Sequence, residues 1–175
     1  MNFIITHTGV RFTPLNPDIY QINIDDIAHS LSMICRGNGH LETFYSVAQH
    51  GLNLAKEAKA RRSTRRIQMA CLLRYGSQAY LPDIVTAVKS RLPAYKDLEE
   101  DIQQLIYMRF LNSELSDEEK FFLREIVDEM LVWEAKKLMK KEGGPLPMMM
   151  SAPKFAFVPF EKVEEEFKAF YETLL

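Results

Sequence analysis

Cysteine is scarce in this sequence, which limits the covalent and metal-based stabilisation open to the chain. The 175 residues include two cysteines, Cys35 and Cys71, and they do not form a Cys-x-x-Cys pair. Neither a disulfide framework nor a cysteine-based zinc site is therefore indicated. The spacing favours two reduced thiols, with Cys71 packed in a core.

The sequence also lacks a long apolar run and a strong excess of one charge. No segment approaches the roughly 20 apolar residues that cross a bilayer, and the formal net charge is -2. The first apolar run, in MNFIITHTG, is interrupted by Thr6 and His7 before it reaches the length of a secretory signal. We therefore expect a cytoplasmic protein with no general attraction to nucleic acid or to a membrane.

Helical periodicity is the main pattern that the sequence does contain. Apolar residues recur at helical spacing in DDIAHSLSMICR, FYSVAQHGLNLAKEAKA, STRRIQMACLLRY, YKDLEEDIQQLIYMRFL and SDEEKFFLREIVDEMLVWEAKKLMKK. Ser116 followed by Glu119 is a capping-box signature. The stretch GGPLPMMMSAPKFAFVPF, rich in glycine, proline and methionine, predicts a long loop before a last helix in FEKVEEEFKAFYETL.

The N-terminal part of the chain has a different pattern. Two short β-prone runs, FIITHTGVRF and YQINI, flank the turn sequence TPLNPD and predict a two-stranded ribbon or an extended arm. No internal repeat or linker divides the chain. The expected fold is therefore one all-α domain over residues 1–175, with a short N-terminal arm.

The polar side chains around the first glycine-rich segment admit two interpretations. Asp25, His29, Ser32 and Arg36 fall on one face of the first predicted helix, and His40 follows the glycines. They form either a solvated helix face or the wall of an anion site, because two histidines and an arginine near glycines suit an anion. The residues alone do not separate the two.

Three other side chains stand on apolar stripes where polarity is unexpected. His50, Arg74 and Glu134 each align with apolar residues at helical spacing. A lone histidine in this position is more often a core residue than a ligand. A buried Glu134 carboxylate needs a cation, and Arg74 is the available one.

The segments IAHSLSMICRGNGH, FYSVAQH, LLRYGSQAYLPDI, KSRLPAYKDLEEDI and WEAKKLM, in this order, resemble the HD-domain phosphohydrolases. The similar branch is that of the bacterial 5'-nucleotidases that act on deoxynucleoside monophosphates. The resemblance covers nearly the whole chain and implies an HD-domain helical bundle. In that family a histidine, an adjacent His-Asp pair and a later aspartate hold a divalent metal, and a glutamate and an aspartate lie near the substrate.

The metal positions of the family are largely altered in this sequence. The resemblance places His50 at the first ligand, and it places Arg74 and Tyr75 at the His-Asp pair. The last ligand position falls on Val127, with Asp128 one residue out of register, and one helical position turns a side chain by about 100°. A guanidinium has no acceptor for a metal. We therefore predict no metal cofactor, with His50, Arg74, Tyr75 and Asp128 as remnant positions.

The catalytic positions are altered as well. The glutamate position falls on Gln78, whose amide cannot exchange a proton as a carboxyl group does, while the substrate-side aspartate is retained as Asp83. With both the metal ligands and the glutamate replaced, the residues predict that metal-dependent hydrolysis has been lost.

Three hypotheses on function remain open. In the first, the chain binds a nucleoside monophosphate or another phosphate ligand without a metal. In the second, Arg74 plugs the metal site by pairing with Glu134 or Asp83, and the protein has a structural or interaction role, with a homodimer as an open possibility. The third, and least supported, is an active phosphohydrolase on nucleoside monophosphates that uses a non-standard site. The ligand-binding residues expected under the first hypothesis are Arg36, His40, His50, Arg74 and Asp83.

Overall fold

The structure, a computed structural model, describes residues 2–140 and 144–175 and is predominantly helical in these ranges. The all-α prediction is confirmed, together with a short strand pair near the N-terminus. Short 3-10 turns cover Ile19–Gln21, Arg36–Gly39 and Gly76–Ala79. The strands and helices are β1 Ile4–Ile5, β2 Arg11–Phe12, α1 Ile24–Met33, α2 Val47–Ala60, α3 Arg65–Leu72, α4 Thr86–Lys89, α5 Pro93–Leu111, α6 Asp117–Leu138 and α7 Phe160–Glu172.

Both N-terminal strands lie within the first β-prone run. β1 and β2 pair antiparallel, with Ile4 opposite Phe12. Gly9, at φ +84°, lets the chain turn tightly between them, since this left-handed conformation is strained for other residues. The prediction that YQINI contributes a strand is wrong, because this segment folds into the 3-10 turn Ile19–Gln21 instead.

Side-chain caps fix where the helices begin. Asn23 accepts a hydrogen bond from the backbone N–H of Asp26 at 2.8 Å and starts α1. Ser46 starts α2 through a capping box with Gln49. The predicted capping box of Ser116 starts α6. That helix ends at Leu138, so the predicted helix is too long at Met139 and Lys140, and its last residue, Lys141, lies outside the described residues.

Helix α2 is central to the fold and is buried on nearly every face. It packs against α1, α3, α6 and α7. A Cβ atom at Gly51 would lie 2.7 Å from the carbonyl oxygen of Leu72, so only glycine permits this close approach of α2 to α3. The contact brings His50 on α2 next to the residues that follow α3.

The predicted loop between α6 and α7 contains no regular element in residues 144–159. Three polar side chains of α2, one helical turn apart, hold it in place. Gln49 donates to the carbonyl of Ala156 at 3.2 Å, and Asn53 bonds both backbone groups of Lys154. Glu57 accepts from the N–H groups of residues 150 and 151. The loop therefore covers α2 through hydrogen bonds, although its side chains are only half-buried or exposed.

Candidate functional site

Arg74 lies just beyond the end of α3, in a turn that α5 holds in place. Gln103 of α5 donates to the carbonyl of Leu73 at 2.9 Å and accepts from the N–H of Ser77 at 3.1 Å. A Cβ at Gly76 would lie 3.0 Å from Ile106, so the turn and α5 are in close contact. These contacts fix the backbone on both sides of Arg74, whose side chain is partly exposed.

The Arg74 side chain lines a surface cavity of about 600 Å³, between this turn, α5 and α6. Of the charged residues in the wall, Lys89 and Glu99 pair with each other at 2.7 Å. Within residues 2–140 and 144–175, the other cations of the wall form no ion pair. The wall is therefore rich in unpaired positive charge. The unpaired charged residues are Arg74, Lys96, Lys120, Arg124, Glu100 and Asp128.

Glu134 is buried, as its position on an apolar stripe predicts, but its cation is not Arg74. Arg36 lies 3.3 Å from one carboxylate oxygen, and the Nδ1 atom of His50 hydrogen-bonds the other. The prediction that Arg74 pairs with Glu134 is therefore wrong. The partner, Arg36, comes from the loop after α1. The apolar stripe that pointed to Arg74 carries no information about that loop.

The pKa shifts in the cluster of Arg36, His50 and Glu134 agree with one charge state for each group. Burial alone would raise the pKa of Glu134, but His50 and Arg36 hold it below its ordinary value. Burial lowers the pKa of His50, and the positive charge of Arg36 lowers it further against the opposing effect of Glu134. The arrangement corresponds to an ionised Glu134, a charged Arg36 and a neutral His50.

The loop RGNGH brings Arg36 to Glu134. Three successive residues, Gly37, Asn38 and Gly39, have φ of 57°, 52° and 77°. The N–H of Arg36 donates to the carbonyl of Tyr45 at 2.9 Å, which closes the loop. The prediction that Arg36 lies on the polar face of α1 is wrong, because the helix ends at Met33 and Arg36 begins the following 3-10 turn.

The metal that the resemblance implies does not fit the residues around His50. A neutral His50 that donates from Nδ1 has a bare Nε2, and this buried atom has no hydrogen-bond partner in the described ranges. One nitrogen ligand is therefore available. The neighbouring groups are the ring of Tyr75, 5.1 Å away, and the guanidinium of Arg74 over that ring.

The last ligand position does not supply the missing donors. Val127 is apolar and buried, whereas Asp128 is exposed at the cavity wall. In the part of the chain that the structure describes, no set of three histidine, cysteine or acidic side chains converges around His50. A divalent metal requires several nitrogen and oxygen ligands, so this donor set is inadequate.

The remaining predicted residues are dispersed. Gln78 donates to Asp83 at 3.0 Å, so the alternative pairing of Arg74 with Asp83 is also wrong. The other amide atom of Gln78, Oε1, is buried without a partner in the described ranges. His40 is exposed, and Arg74 alone among the expected ligand-binding residues lines the cavity.

Two residues of the cavity wall were not among the site residues predicted from the sequence. Lys120 and Arg124 lie one helical turn apart on α6 and face the same cavity as Arg74. Their signal is a basic i, i+4 pair, which precedes Asp128 by one further turn. In the sequence, such a pair is typical of a solvated helix face. The cavity depends on the packing of α5 against the Arg74 turn, which the sequence pattern does not indicate.

Two curated proteins are similar to this chain. The uncharacterized protein YfdR of Escherichia coli is 38% identical over 112 residues, which cover 63% of this chain and 59% of that protein. An uncharacterized protein of Rhodobacter capsulatus is 34% identical over 109 residues, covering 59% of this chain and 55% of the relative. The chain thus spans less than two thirds of the length of these relatives. No family model matches the chain.

None of the helices within residues 2–140 and 144–175 combines the length and the apolarity that a bilayer crossing requires.

Proposed function

We propose that this protein is a metal-independent member of the HD-domain phosphohydrolase group that binds a nucleoside monophosphate without hydrolysing it. The proposed site is the cavity beside Arg74. In this proposal the guanidinium supplies the positive charge that a divalent metal supplies in the enzymes that the sequence resembles. The protein is proposed to be cytoplasmic, in keeping with the free thiols of Cys35 and Cys71.

The observation that carries the proposal is the unpaired state of Arg74 within the described residues. A guanidinium stays charged, and its fork of donors matches the oxygens of a phosphate group. Since Glu134 already pairs with Arg36 and Asp83 bonds Gln78, neither acid competes for Arg74. The charge is thus free to bind an anionic ligand.

The rest of the cavity wall is compatible with a small phosphorylated ligand. Its volume of about 600 Å³ falls within the roughly 300–1,000 Å³ of typical small-molecule sites. Lys120 and Arg124 add positive charge from α6. The buried Oε1 of Gln78 is an acceptor for a hydroxyl or amine of the ligand.

Hydrolysis is not expected at this site. Cleavage of a phosphate ester needs an activated water and a group that protonates the leaving oxygen. Gln78 stands where the resemblance implies a glutamate, and an amide does not transfer that proton. The proposed role is therefore binding, with the ligand held intact.

Thermal unfolding with and without ligand tests the proposal. A panel of deoxynucleoside monophosphates is added at millimolar concentration in the presence of a chelator, and at least one is expected to raise the unfolding temperature. Arg74→Ala should weaken its binding by roughly tenfold or more, since a hydrogen bond to a charged group contributes about 1.5–3 kcal/mol. The control Arg65→Ala removes an exposed arginine at the start of α3, outside the cavity, and should bind like the parent protein.

Release of phosphate distinguishes binding from the alternative of an active enzyme with a non-standard site. We expect no phosphate above background from the same monophosphates, with or without added divalent metal. Turnover at ordinary enzyme rates would favour the alternative. If no monophosphate shifts the unfolding temperature of the parent protein, the binding proposal is wrong.

A further inference from the structure

A second polar cluster joins the N-terminal arm to helices α1 and α7. The ring of His7 stacks on that of His29, with the centroids 3.6 Å apart and an interplanar angle of 15°. The Nδ1 atom of His29 lies 2.9 Å from Oε2 of Glu164. One donor atom from each of the three side chains lies within 4.8 Å of the others. None of the three lines the cavity beside Arg74.

The three donors come from separate elements whose backbones are held together. His7 sits in the turn of the β-hairpin, and the next residue anchors this turn to α1. Thr8 donates from its backbone N–H and its hydroxyl to the two oxygens of Asp26, at 2.7 and 2.9 Å. His29 is on α1 and Glu164 is on α7, and these two helices pack together.

We propose that His7, His29 and Glu164 form a binding site for a divalent transition metal such as Zn²⁺. Two imidazoles and one carboxylate are a common ligand set for this ion, which takes water in its open position. Imidazole donors also favour Zn²⁺, Ni²⁺ and Cu²⁺ over Mg²⁺ and Ca²⁺. The inference is independent of the nucleotide proposal, because the two sites share no residue.

The 2.9 Å separation of His29 Nδ1 and Glu164 Oε2 is a few tenths of an ångström below the ligand spacing of a tetrahedral zinc ion with bonds of about 2.0–2.1 Å, so a small side-chain shift admits the ion. The metal lies between these two atoms in place of the proton, and the His29 ring that binds it through Nδ1 carries its single proton on Nε2. Because stacked rings direct their lone pairs nearly in parallel, the exposed His7 ring turns out of its stack on His29 so that one of its nitrogens also points at the ion. Lys168 donates to the other oxygen of Glu164, Oε1, at 2.9 Å, which leaves Oε2 to bind the ion. The bound metal clamps the N-terminal hairpin onto α1 and α7.

Calorimetric titration of the full chain with Zn²⁺, after treatment with a chelator, tests this site. We expect one ion per chain. His7→Ala and Glu164→Gln should each weaken binding by roughly tenfold or more. His7 is exposed, so its removal leaves the fold intact.

His40→Ala is the matched control, because His40 is an exposed histidine outside the cluster. It should bind Zn²⁺ like the parent protein. A Co²⁺ titration followed by visible absorption reports the coordination directly, and the His7→Ala variant should lose the absorption band of the parent. Absence of binding by the parent protein, or equal binding by the parent and His7→Ala, would overturn the proposal.

Discussion

Arg36→Ala and Arg74→Ala should differ strongly in their effect on the stability of the fold, although both arginines lie near the ring of Tyr75. The side chain of Arg36 is 13% exposed, and that of its partner Glu134 is 3% exposed. Removal of one member of a buried ion pair costs on the order of 3–5 kcal/mol, because the other charge stays buried. Since His50 still hydrogen-bonds Glu134, we expect the lower end for Arg36→Ala, about 3 kcal/mol.

Arg74→Ala should cost about 1 kcal/mol or less, because this side chain is partly exposed and has no ion pair in the described ranges. Urea unfolding of both variants measures the difference directly. The corresponding fall in unfolding temperature is roughly 2–4 °C for each kcal/mol in a protein of this size. Arg36→Ala should therefore melt well below Arg74→Ala.

The double variant Arg36→Ala, Glu134→Gln controls for the cause of the loss. If the unpaired carboxylate is responsible, its neutralisation should restore part of the stability that Arg36→Ala removes. A loss for Arg74→Ala as large as that for Arg36→Ala would refute the reasoning. It would mean that Arg74 neutralises a buried acid after all.

Three further outcomes are expected. Gly51→Ala should destabilise the fold by about 1–3 kcal/mol in urea, because its methyl group would overlap the carbonyl of Leu72; unchanged stability would contradict the close packing. His50 has a lowered pKa in the folded protein, so its contribution is present above its ordinary pKa of about 6.5 and is lost as the pH falls below it. His50→Gln should flatten this part of the dependence of stability on pH. A pH dependence parallel to that of the parent protein would contradict this role of His50. Arg74→His with Tyr75→Asp, in a His7→Ala background, should bind metal weakly at most by elemental analysis, whereas one ion per chain would show that the donor set around His50 is adequate after all.

The helices could be predicted from the sequence because their signals are local. Apolar spacing and the capping serines act within a few residues, and α1, α2, α3, α5, α6 and α7 follow them closely. The sequence predicts a two-stranded N-terminal ribbon but not the positions of its strands. Its two strands lie on either side of Gly9 in a single run, and YQINI, although β-prone, is a 3-10 turn.

The site was less predictable because its residues meet through loops. The position of Glu134 on an apolar stripe correctly indicated a buried carboxylate that needs a cation. Its partner, Arg36, depends on three left-handed residues in succession, and no periodic pattern reports where such a loop delivers a side chain. The contact of His7 with His29 and Glu164 likewise depends on the hairpin turn and on the packing of α1 against α7.

Calorimetric binding of a deoxynucleoside monophosphate and of the matching nucleoside, both in excess chelator, is the most direct test of the central claim. If Arg74 replaces the metal, the monophosphate binds without any divalent ion, the nucleoside binds much more weakly, and added salt weakens the difference. Equal affinities for the two compounds, or binding of the monophosphate only after a divalent metal is added, would contradict the account.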